Sequence, residues 1–126
     1  MKKWEAINTF FKGFNLPAYE ENSVPTGRDK PTYPYIAYEM QQGGYEDDSD
    51  VFLAFSIIDK ADSFKDTYRI SNQIAEAIGD SKTYQLDNGY VRIQRATPWA
   101  QNQRDANDET VKRLYHIIEV TYYTAY

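Results

Sequence analysis

The 126-residue chain has no cysteine. Disulfide staples, thiolate nucleophiles and cysteine metal ligands are therefore excluded, and a reducing compartment is compatible with the composition. Histidine is nearly absent as well, His116 being the only one. A zinc site built from several Cys and His ligands is not expected, nor is any other metal or cofactor. No GxSxG elbow surrounds a serine, so a small hydrolase would have to rest on His116 and a carboxylate. Phosphate-cradling loops are missing: neither GxGxxG nor GxxxxGK[ST] occurs, and Gly43-Gly44 and Asn88-Gly89 read as turns. No apolar run approaches about eighteen residues, so no membrane span is expected. The opening "MKKWEAINTFF" lacks the unbroken apolar stretch of a signal peptide. Basic residues are the minority, 14 Lys and Arg against 19 Asp and Glu, a formal net charge of −5. Such a chain gains no counterion-release affinity, and sequence-specific binding of DNA or RNA is not expected.

What the chain has in quantity is aromatic side chains, including twelve Tyr. Tyrosine joins a large apolar body to a polar tip, which suits strands and half-buried surfaces that meet partners. Residues 2–13 predict a helix whose stripe is Trp4, Ile7, Phe10, Phe11 and Phe14, ending at Gly13. The segment 15–34 holds four of the five prolines and no period, and reads as an extended arm. Residues 35–41 alternate as a strand, with Ile36, Tyr38 and Met40 on one side. The tip "GGYEDDSD" follows, and then 51–58, "VFLAFSII", a strand apolar on both faces.

A second helix lies within 59–80, capped by Asp62 or Ser63 and stopped by Gly79. Its expected inward stripe is Phe64, Tyr68, Ser71, Ile74, Ala75 and Ile78. Two short strands flank Asp87-Asn88-Gly89, a tight hairpin signal. The final strand carries Leu114, His116, Ile118, Val120 and Tyr122 on one face, and Tyr115, Ile117, Glu119, Thr121 and Tyr123 on the other. The reading is one domain over 1–126 with an α+β fold, order α-β-β-α-β-β-β. Its two helices are expected to pack on one face of a mostly antiparallel mixed sheet.

Two stretches carry the candidate assembly-interface residues. One is the acidic tip, with Tyr45, Glu46, Asp47, Asp48 and Asp50. Its spacing lacks the alternation and central glycine of a calcium loop, so it reads as a solvated tip suited to a basic partner. The other is 97–110, "TPWAQNQRDANDET". Pro98 is expected to break the strand there, and Trp99 either packs back on the sheet or protrudes as an anchor. Gln101, Gln103, Arg104, Asp105, Asp108 and Glu109 then form a long polar connection, read as a docking loop. Arg92, Arg95, Arg104, Lys112 and Arg113 read as solvated or as paired with nearby acids, Asp105, Asp108 and Glu109 being close enough in sequence to serve. His116, flanked by Leu114 and Ile118 on its face, reads as a packed histidine rather than a general base. The doubly apolar strand 51–58 and the Tyr-rich final strand are further sources of interface.

The stretches "AINTFFKGFNLPAYEENSVP", "YPYIAYEM", "QIAEAIG", "NGYVRIQRATPWAQ" and "VKRLYHIIEVTYY" together resemble the tail terminator, or tail completion, proteins of long-tailed phages and prophages of Gram-positive bacteria. Genes of that family are often labelled minor capsid or head–tail joining proteins. The resemblance covers nearly the whole chain as a pattern of order and spacing, not as a catalytic signature. It implies an α+β subunit, monomeric when free, that forms a ring, hexameric in the assembled tail. Such a ring caps the tail tube protein, stops its polymerisation and presents a surface to the head–tail connector protein. The place implied is the head-proximal end of the virion tail, reached from the host cytoplasm during assembly. No enzymatic activity and no cofactor follow from it. A head-completion or connector protein is the nearest alternative within the same class, and the His116 hydrolase and a ligand-binding module on the aromatic-rich face are the alternatives outside it.

Overall fold

The strict alternation of the last strand organises the molecule. In the computed structural model, which describes residues 1–40, 49–104 and 108–124, that strand lies inside a six-stranded mixed sheet with two α-helices. In chain order the elements are helix α1 (Lys3–Phe11), strands β1 (Ala18–Glu20), β2 (Tyr35–Tyr38) and β3 (Ser49–Lys60), helix α2 (Lys65–Ile78), and strands β4 (Lys82–Leu86), β5 (Gly89–Arg104) and β6 (Val111–Thr124). The sheet order is β1-β2-β3-β6-β5-β4, parallel only between β1 and β2. Among the described residues, no helix is long and apolar enough to cross a membrane.

Along β6, Leu114, His116, Ile118, Val120 and Tyr122 are all buried, as the alternation requires. Their partners in β3 are Ile57, Phe55, Leu53, Val51 and Ser49 in turn. This face joins the main core with Ile36 and Tyr38 from β2 and Val91 and Ile93 from β5. Helix α1 supplies Phe11, stacked on Tyr38 at 4.5 Å and tilted against Phe55 at 5.0 Å. Its first turn is held by Glu5, whose carboxylate accepts the Lys2 main-chain N–H at 3.0 Å. Trp4 does not join the inward stripe and is 48% exposed. The buried arc is Ala6, Ile7, Phe10 and Phe11, and Trp4 falls off its flank opposite Ala6.

Helix α2 buries Thr67, Ile70, Ser71, Ile74 and Ile78. Tyr68, expected inside, is instead 45% exposed, and Thr67 takes the inward place with its hydroxyl bonded to the Phe64 carbonyl at 2.7 Å. Ser63 Oγ accepts the Lys65 N–H at 3.3 Å, and Gly79 ends the helix at φ +59°.

Three further expectations are corrected. The arm 15–34 contains β1 and two short 3₁₀ turns, and β1 pairs parallel to β2. An extra strand therefore precedes the expected order. The strand after the 87–89 hairpin is not short: β5 runs for 16 residues and continues beyond Pro98. That strand leaves only 105–110 between itself and β6, where a fourteen-residue loop was expected. At the hairpin, Gly89 is required by space. A Cβ there would lie 1.9 Å from the Tyr123 carbonyl oxygen, and φ is +154°.

Candidate functional site

Strand β5 passes Pro98 by bulging. Arg95 pairs with Ile118 and Ala100 with His116, so four residues, 96–99, stand opposite the single residue Ile117. The extra length takes Pro98 out of the ladder, where its missing N–H costs nothing. It also turns Trp99 onto the core, edge-on to Phe55 at 5.7 Å and to His116 at 4.8 Å. Trp99 is thus a half-buried packing residue: of the two arrangements open to it, packing back on the sheet and protruding as an anchor, the structure shows the first.

A polar cluster sits beneath this bulge. Trp99 Nε1 donates to Ser71 Oγ at 3.2 Å, and Ser71 Oγ lies 2.8 Å from His116 Nε2. An indole can only donate, so the Ser71 oxygen accepts from Trp99 and its own proton is free for Nε2. The His116 ring stacks on Phe55 at 4.4 Å with planes 4° apart. Burial of the ring pushes its pKa down from 6.5 to about 4. At neutral pH His116 is an uncharged core residue. Among the described residues no carboxylate hydrogen-bonds to either ring nitrogen.

The other nominated residues fall in three places. Gln101 and Gln103 are on β5, opposite Tyr115 and Arg113, and Arg104 is its last residue. Asp108 lies in the turn before β6 and accepts the Thr110 N–H at 2.9 Å and hydroxyl at 2.6 Å. Those bonds hold its carboxyl below the usual carboxylate range. Its ion-pair partner is Lys60 at 3.8 Å, not one of the strand arginines. Glu109 offers its carbonyl to the Lys112 ammonium. Asp50 accepts the Thr121 hydroxyl at 2.6 Å on the edge of β3 facing β6. Tyr45, Glu46, Asp47, Asp48 and Asp105 lie outside the described residues. Among the described residues, those nominated are spread over β3, β5 and the turn before β6.

The structure displays a different surface. On the sheet face away from Phe55 and His116, Phe52 is 60% exposed and pairs across the ladder with Glu119. Ile117, Tyr115 and Tyr123 share that face and are half-buried. Tyr90 stacks on Tyr123 at 4.6 Å, and the Arg92 guanidinium rests over the same ring at 5.5 Å. Arg113 reaches across to Ser56 Oγ at 3.2 Å. Gln101 and Gln103 extend the face along β5. Aromatic rings and arginine, side-chain types enriched where proteins meet, lie together on this face, with Ala54, Ser56, Ile58 and Thr121 buried on the same side. The double apolarity of 51–58 pointed to a central or interface-forming strand; β3 lies inside the sheet between β2 and β6, and Phe52 itself was not singled out. No family model, no curated protein and no solved structure matches the chain.

Proposed function

We propose that the chain is a phage tail-assembly subunit of the tail-terminator kind. It caps the tail tube, stops its polymerisation and forms the interface to the head connector, working as a ring of copies at the head-proximal end of the tail. Two things support the reading: the resemblance running along the sequence, and the open aromatic face around Phe52, which is the observation that carries it. In this reading both helices cover the Phe55–His116 face and leave the Phe52 face for a protein partner. Docking then falls to a preformed sheet surface, because the 97–104 stretch is strand. A preformed surface loses little conformational entropy when it binds.

The test is electron microscopy of particles from the parent phage with this gene deleted. Overlong, headless tubes are the expected result. Tails of normal length beside unjoined heads would move the protein to the head side of the junction. Normal infectious particles would overturn the assembly reading altogether.

A further inference from the structure

The two outer strands of the sheet are β1 and β4, and among the described residues neither has a neighbour on its outer side. An open edge presents unpaired N–H and C=O groups and is a template for another strand. The directions of the two edges are linked by the topology. β1 runs parallel to β2, and four antiparallel steps lead from β2 through β3, β6 and β5 to β4. Four reversals restore the direction, so β4 and β1 run the same way. Copies of the chain set side by side in one orientation therefore bring β4 of one against β1 of the next, in parallel.

The charges on these edges match. Lys82, at the start of β4, is exposed, lies over the Tyr84 ring at 5.6 Å and has no carboxylate partner among the described residues. Glu20 ends β1, with Glu21 next to it, and neither takes part in an ion pair among the described residues. Glu20 pairs with Tyr38, a residue of the core face. Lys82 shares its side of β4 with Tyr84, which packs against the same core. In a sheet continued from copy to copy, both groups would stand on one face, as a cross-strand ion pair requires. Pairing β1 with another β1 would instead crowd four glutamates. An edge lysine also discourages indiscriminate pairing, so the matching acid makes the contact selective.

We infer that the occupant of each edge is a second copy of this chain, β4 adding to β1 head to tail, so that the sheet runs on from subunit to subunit. A head-to-tail contact of this kind closes into a ring when the rotation per copy allows. The inference rests on the proposed ring and specifies its seam.

The seam is tested with the full-length chain at millimolar concentration, alone and with tail tube protein. Because the chain has no cysteine, single thiols can be placed at will. Mixed Tyr19→Cys and Thr83→Cys chains should cross-link on oxidation, while neither alone should. Glu20→Lys or Lys82→Glu should weaken self-association roughly tenfold, and the two together should restore it. These side chains lie outside the core, so folding is retained. Cross-linking of Thr83→Cys with itself, and not with Tyr19→Cys, would replace this seam by a two-fold one. Rings that form as readily from either charge-reversal variant as from wild type, with no cross-link between the two cysteine variants, would overturn the seam and leave the ring standing. A wild-type chain monomeric under both conditions would overturn the ring, and the seam with it.

Discussion

His116 gives the protein an acid-sensitive core whose size can be worked out. The ring is buried and its pKa falls from 6.5 to about 4 in the folded state. The unfolded chain therefore binds a proton that the folded chain refuses between those values, and stability falls as pH drops through that window. From pH 7 to pH 5 the loss from this one group is about 2 kcal/mol, and it levels off below about pH 4. The chain has one histidine and no cysteine, so no second imidazole and no thiol contributes in that window. The perturbation is His116→Phe. A phenyl ring keeps the stack on Phe55, which is 4.4 Å away in the native pair, but removes the nitrogen facing Ser71. At pH 7 the variant should be less stable by about 1–3 kcal/mol, the cost of an unmet buried hydroxyl. Between pH 7 and pH 5, however, it should lose almost nothing. Urea unfolding followed by far-ultraviolet circular dichroism at the two pH values measures both quantities. A wild-type midpoint unchanged over the window, or a His116→Phe chain as acid-sensitive as wild type, would refute the reasoning.

Other outcomes follow from the packing. Phe52→Ser should leave unfolding free energy within about 1 kcal/mol of wild type, because the ring is 60% exposed, yet abolish binding to tail tube protein in a sedimentation assay. Gly89→Ala should destabilise by about 3 kcal/mol, read in urea, since its Cβ would fall 1.9 Å from the Tyr123 oxygen. Ile57→Ala, in a fully buried site of β3, should cost about 2–5 kcal/mol in the same measurement. The two tryptophans should separate in acrylamide quenching. Trp99→Phe should leave a strongly quenched emission from Trp4, and Trp4→Phe a protected one from Trp99.

The parts of the fold that were legible are those where side chains alone decide. Period-two alternation placed Leu114, His116, Ile118, Val120 and Tyr122 of β6 on the core face, and Gly79 and the Asp87–Gly89 turn marked real ends. What was hidden depends on partners distant in sequence. β1 is three residues long and is a strand only because β2 accepts it. Residues 100–104 look like a loop because they are polar, yet a strand whose open face is solvated needs little apolar content when β6 satisfies its backbone. Pro98 suggested a break, and the bulge absorbs it. Trp4 fits the helical spacing, but which flank of a broad stripe is buried is set by Ala6 meeting the core. The Ser71–His116 contact joins residues 45 apart and has no local signature. The nominated polar residues carried no pattern that could fix a common surface, whereas the apolar excess of 51–58 fits the inner place of β3 between β2 and β6.

The bulge in β5 has a bearing on how the chain tolerates change in length. A strand paired without interruption carries a one-residue insertion along its whole run and turns every later side chain to the wrong face. Here four residues, 96–99, already stand against one, so the arm before them and the arm after them keep separate register with β6. Slack of that kind isolates errors. A residue gained or lost between Ala96 and Pro98 should be taken up locally, leaving Gly89–Arg95 and Ala100–Arg104 aligned as before. The same change one turn of the ladder away, at Ile93 or Asn102, should scramble the sheet.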